Sequence, residues 1–167
     1  MKPLFVCAAL LLASLSASAQ ALWQGVPTGA TPAEVVARLP EAVPAPAGLR
    51  DAAITGDVLL RIPAHALVDD EFEVLFGFAQ EGLQNIVLRK QADSPAQARA
   101  IAQRLTTALR ASYGLEASTK SRGAQPADAI DRLWAHRRLS VHLQVLDGSW
   151  VHLRYSPNLP ATASRPL

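Results

Sequence analysis

Two alternating stretches, "EFEVLFGF" at 71–78 and "LSVHLQVL" at 139–146, restrict this chain more than any other feature in it. Period-two alternation collects one set of side chains on one side of a strand, so each stretch belongs in a sheet with that side buried. Each also has a partner downstream. "LQNIVLRK" follows the first after Gln80-Glu81-Gly82, read as a three-residue loop. Setting Ala79 opposite Leu83 places Phe76 against Ile86, Val74 against Leu88 and Glu73 against Arg89, an opposite-charge pair. "WVHLRY" follows the second after Asp147-Gly148-Ser149. A two-residue Asp-Gly turn would pair Val145 with Trp150 and mix polar and apolar residues on both faces. A three-residue loop pairs Leu146 with Trp150 and puts Val141, Leu143, Val145, Val151, Leu153 and Tyr155 together. Since a one-residue slip inverts every side chain, the pattern selects the longer loop.

A helix precedes each strand pair. In "TPAEVVARLP" (31–40), Thr31 is the N-cap, Pro32 the first helical residue and Glu34 the reciprocal partner of the cap. Val35, Val36 and Leu39 form its apolar face, and Pro40 ends it. The Pro-rich segment from Pro40 to Gly48 reads as a linker. In "SPAQARAIAQRLTTALRASYG" (94–114), Ser94 caps, Pro95 leads and Gln97 stands third. Ala98, Ile101, Leu105, Ala108 and Leu109 recur at helical spacing, and Gly114 closes a helix expected over about 95–112. "ITGDVLLRI" and "IDRLWAHRR" add one strand to each half. The expectation is a single α+β domain over 22–156: two layers, an antiparallel sheet with two main helices on one face. Its order reads as a tandem pseudo-repeat of helix plus three strands. A disordered tail is expected over 157–167.

The start of the chain has a different composition. Met1-Lys2, the apolar run Leu4–Leu15 and the small-x-small site Ala17-Ser18-Ala19 lay out a cleaved signal peptide over 1–19, too short to span a bilayer. Cys7, the only cysteine, lies inside that leader and upstream of the cleavage point, so neither a lipid anchor nor a disulfide is expected in the mature chain. No later stretch is long enough for a transmembrane segment. With few lysines and many Ala, Arg and Pro residues, the chain reads as an exported bacterial protein, located in the periplasm or secreted. Lys and Arg number 16 against 14 Asp and Glu. Lys2 leaves with the leader, which brings the mature net charge to +1. Such balance provides no field for nucleic acid.

Gly29-Ala30-Thr31 with Glu34-Val35 and Leu39-Pro40 resembles the helix opening of small bacterial envelope modules of the BamE and β-lactamase-inhibitor-protein type. The likeness covers about a dozen residues. It implies helices set on an antiparallel sheet and a protein that acts by binding other proteins. The chain departs from BamE in having no cysteine at the cleavage point, and its long helix follows the first hairpin. No functional residue carries over.

Candidate chemistry centres on His142 and His152, which the second hairpin's register places diagonally on one sheet face, about 7–8 Å apart along the backbone. A metal-dependent enzyme built on them would need a third ligand from elsewhere in the fold. The same face carries Trp150, Arg154 and Leu146, an aromatic and a guanidinium of the kind that anchor interfaces. Asp69-Asp70-Glu71 with Glu73 lacks the alternating ligands and glycine of a calcium loop and reads as a solvated strand start. Leu75 with Val87, and Ala79 with Leu83, would form an exposed apolar strip, a candidate homodimer or partner surface, if helices cover only the Phe face. No nucleophile elbow, phosphate-binding glycine loop or zincin helix is present. The function expected is a non-enzymatic module, an inhibitor or envelope accessory protein, that binds another envelope or periplasmic protein without a cofactor. The alternatives are the metal-dependent enzyme and a binder of small hydrophobic ligands between helix and sheet.

Overall fold

The computed structural model describes residues 21–80, 82–118 and 130–158. The expected leader and almost all of the expected tail lie outside that range. Strand β9 (Trp150–Pro157), however, runs into the region expected to be disordered, and Asn158 then donates to the Arg138 carbonyl.

Seven antiparallel strands form one sheet. Along the chain they are β3 (Val43–Pro44), β4 (Asp57–Leu67), β5 (Asp70–Ala79), β6 (Gly82–Gln91), β7 (Asp131–His136), β8 (Leu139–Leu146) and β9. Across the sheet the order is β3-β4-β5-β6-β9-β8-β7. Helix α1 (Pro32–Arg38) precedes the β4–β5–β6 meander, and α2 (Pro95–Tyr113) precedes β7–β8–β9. The last strands of the two meanders, β6 and β9, pair antiparallel at the centre of the sheet. A helix followed by a three-stranded meander thus occurs twice, as the sequence order suggests, with the two-residue β3 added in the first half.

One face of the sheet builds the core. Phe72, Val74, Phe76, Ile86, Leu88, Leu143 and Leu153 are at most 1% exposed there, and Trp134 is fully buried with them. Helix α2 lies across β7, β8 and β9 and inserts Ala98, Ile101, Leu105 and Leu109. Ala102 and Thr106 widen its stripe, while Ala108 is only half-buried. Over the other half of this face sit α1 and a small hairpin of β1 (Ala21–Trp23) and β2 (Val26–Pro27), with Trp23 against Phe76. That hairpin turns on Gln24 and Gly25, both left-handed. The α1 capping box forms as read: Thr31 accepts from the Glu34 N–H, and Glu34 accepts from the Thr31 N–H. Only Val35 and Leu39 of its apolar trio are buried; Val36 is 38% exposed, because α1 is seven residues long and meets the core along one narrow line.

The hairpin registers test the alternation closely. Leu146 pairs with Trp150, as the three-residue loop requires. Phe76–Ile86, Val74–Leu88 and Glu73–Arg89 also pair as expected. The first loop differs. Ala79 pairs with Gly82 and Phe78 with Leu83, so only two residues turn and Gln84 is the extra residue of a bulge. Leu83 forces this arrangement by bonding outward: its N–H donates to the Ala30 carbonyl and its own carbonyl accepts from Gly29 N–H. Gly82 makes the approach possible. Its φ is +92°, and a β-carbon there would sit 2.3 Å from the Gly29 oxygen.

The opposite face is not bare. Residues 45–56, the continuation of the expected linker, run back over β5 and β6. Asn85 fastens them by donating to the Ala53 carbonyl and accepting from Thr55 N–H. Leu75 and Val87 are consequently fully buried, so the expected exposed apolar strip does not exist.

Candidate functional site

On this second face, the strand registers align side chains into rows that run across the sheet. One row reads Glu73–Arg89–His152–Gln144–Asp131, five polar residues from five adjacent strands. Its neighbour reads Leu75–Val87–Arg154–His142–Leu133. A shorter third row, Gln91–Trp150–Leu146, lies on the other side of the first. All five residues singled out from the sequence, Trp150, Arg154, His142, His152 and Leu146, therefore share one face. Alternation alone accounts for that.

The face divides into two halves. Over β5 and β6 it is sealed by the 45–56 loop and an ionic cluster. Arg89 donates through Nε and Nη2 to Glu73 Oε2 (2.9 and 2.8 Å) and through Nη1 to Asp51 Oδ2 (2.9 Å). Arg61 adds a third bond to Glu73, at 2.9 Å to Oε1. Burial alone would raise the Glu73 carboxyl, but the hydrogen bonds from Arg61 and Arg89 outweigh it and hold the group below its ordinary range. The Arg89 guanidinium also lies 5.6 Å from the centre of the Trp150 ring, a cation–π contact.

Over β7, β8 and the outer part of β9 the side chains are only half-buried: Leu133, His142, Gln144, Leu146 and Arg154, with Trp150 at the margin. Asp131 organises this half, accepting from His142 Nε2 at 2.6 Å and from Gln144 Nε2 at 3.1 Å. A shallow groove of about 360 Å³ opens beside Trp150 and Arg89 towards Pro63 and Ala64 on β4.

The two histidines thus look to different carboxylates. His142 holds Asp131, whereas His152 is buried and faces Asp51 at 3.9 Å, with Nδ1 lacking any hydrogen-bond partner. Among the described residues no group of three or more His, Cys, Asp or Glu side chains converges as a metal site would require. His65 contacts Trp23 and Gln24, and His136 lies against Tyr113. Asp70, expected in a solvated acidic stretch, is instead paired with Lys90 and Arg104.

Burial pushes the His152 imidazole below its ordinary value, and nearby Arg89 adds to this while Asp51 opposes it. The unfolded chain takes up a proton at His152 near pH 6.5, and the folded chain does so only at lower pH. Stability is therefore fully present above that value and falls as pH drops through it. Urea midpoints taken between about pH 7.5 and about pH 5.5, above the range where carboxylates titrate, should decline in the wild type. His152→Gln should flatten that decline, and an equal slope in both proteins would exclude His152 as its source.

Asp51, Asn85 and Asp131 complete the site and were not singled out from the sequence. Asp131 opens a strand already expected, so its register could have revealed it opposite Gln144. Asp51 and its loop have no periodic signal. The chain matches no family model, no curated protein and no solved structure.

Proposed function

We propose that this chain is an exported protein of the periplasm that binds another envelope or periplasmic protein through the second sheet face, without chemistry of its own, as an inhibitor or accessory. The observation that carries this reading is the unequal cover of that face. Leu75, Val87 and Asn85 are at most 2% exposed beneath the 45–56 loop, while the half formed by β7, β8 and β9 leaves Leu133, His142, Leu146, Trp150 and Arg154 half-exposed. A fold that seals one half of a sheet and leaves aromatic, aliphatic and guanidinium groups at the surface of the other has the composition of an interface anchor. Trp150 is also held in place, stacked by Arg89 and edge-on to the His152 ring at 6.1 Å, which lowers the entropy cost of using it in binding. Export is part of the reading. Among the described residues the first core side chains are Leu22 and Trp23, so a mature chain that starts after Ala19 would keep them.

Crosslinking in intact cells followed by recovery of the chain tests this reading. Wild type should bring down a discrete periplasmic or envelope protein. Trp150→Ala, with its fold verified by circular dichroism, should recover it at least tenfold less, the loss expected when an interface anchor is truncated. If both forms recover the same proteins in the same amounts, this face is not the binding surface.

A further inference from the structure

Arg154, on the open half, is left without a partner among the described residues. Arg61, Arg89 and Arg132 are half-buried like it, and each holds a carboxylate. The Arg154 guanidinium is in no hydrogen bond or ion pair among the described residues, and its Nε is sealed from solvent without an acceptor. Arg154 is only half-buried, so its terminal nitrogens stay open to a counter-charge, and a guanidinium partly withdrawn from water gains from one.

The described carboxylates of this face are already committed. Asp131 serves His142 and Gln144, Asp51 serves Arg89, and Glu73 serves Arg61 and Arg89. None can turn to Arg154 without giving up its own partner. We propose that Arg154 is the receptor for a single carboxylate, an Asp or Glu side chain presented by the surface of a partner protein. This rests on the binding reading above and names the chemistry of the partner.

Charge complementarity selects that occupant. Across this face three arginines, Arg61, Arg89 and Arg154, stand against three carboxylates, Asp51, Glu73 and Asp131. The face therefore has no broad positive field to hold a polyanion. Among the described residues it offers one unfilled guanidinium, with Leu133 half-buried on the same row and Leu146 on the row beyond His152. That pattern fits one acidic side chain set among apolar ones. A carboxylate can take the two terminal N–H groups of Arg154 in a two-pronged contact, with the sealed Nε–H beside them as the reporter, whereas a neutral amide offers a single weaker acceptor.

The Arg154 Nε–H gives its own signal in a nitrogen–proton correlation spectrum, which permits a direct test on the isotope-labelled protein. The probes are an acetylated, amidated Leu-Glu-Leu peptide and its Leu-Gln-Leu counterpart. The acidic peptide should move the Arg154 Nε–H resonance saturably, and the Gln peptide should bind about tenfold or more weakly. R154Q should abolish the difference between the two. That comparison of peptides on the wild type needs no variant, so it stands even if R154Q folds poorly. Equal shifts with both peptides at Trp150 and Leu133, with Arg154 Nε–H unmoved, would overturn carboxylate docking and leave the face as a binding surface. Silence with both peptides would also overturn it. The crosslinking of Trp150→Ala then decides separately whether the wider reading survives.

Discussion

Arg89→Ala should cost about 3–5 kcal/mol of folding stability, the loss typical of a buried ion pair deprived of one partner. The Arg89 side chain is 17% exposed and that of Asp51 only 4%, so solvent does little to replace the lost bonds. Three hydrogen bonds to two carboxylates and the stacking on Trp150 disappear together. Glu73 retains Arg61, but Asp51 keeps only the Ala53 N–H and a histidine at 3.9 Å. The damage should therefore concentrate on the 45–56 loop. Arg89→Lys retains the charge without the fork and should recover only part of the loss. Urea unfolding of Arg89→Ala, Asp51→Ala and the double variant provides the check. The double variant should cost clearly less than the sum of the singles, because each single leaves the other's charge stranded. Additive costs, or a loss below about 1 kcal/mol for Arg89→Ala, would mean that the cluster is a surface pair of little consequence.

How far the sequence led depended on whether a segment carried a period. Val141–Val145 and Val151–Tyr155 alternate on either side of the Asp147–Ser149 loop, and both the register and the buried face follow from that pattern. The helices declared themselves through Thr31 and Ser94, each followed by proline, and both side chains accept the expected backbone N–H. Where the first hairpin departs from expectation, the cause lies outside it: Leu83 bonds to Gly29 and Ala30, more than fifty residues earlier, and no local pattern encodes that contact. The turn between β4 and β5 was equally silent. Val68 and Asp69 adopt left-handed conformations at φ +49° and +65°, positions where glycine or asparagine would be the recognisable signal. Val68 offsets part of that strain by packing against the core. The candidate site was half legible for the same reason. Strand period placed Trp150, His152 and Arg154 on one side, but the 45–56 loop decides which of them is covered. That loop is held by Asn85 and Arg89, single polar residues with no repeat to announce them.

Gly56→Ala should cost about 2–5 kcal/mol, and the reason is the join between that loop and the sheet. Gly56 has φ +85°, and a β-carbon there would lie 2.0 Å from the Phe78 carbonyl oxygen and 2.7 Å from its carbon. Two costs combine: about 1–2 kcal/mol for an L-residue held left-handed and about 1–3 kcal/mol for overpacking against backbone that cannot swing aside. Gly48 separates them. It has nearly the same φ, +78°, but nothing within 4 Å of the added carbon, so Gly48→Ala should show the conformational cost alone. The excess of Gly56→Ala over Gly48→Ala then measures how tightly the loop is pressed onto β5. Relief of the clash must lift residues 53–56 away from Phe78, which breaks the Asn85 bonds and opens the roof over Leu75 and Val87. Amide exchange at Leu75 and Val87 should accelerate in Gly56→Ala and stay slow in Gly48→Ala. Equal unfolding costs for the two variants would show that the loop is not pinned at this point. The sealed half of the face would then owe its cover to Arg89 and Asn85 alone.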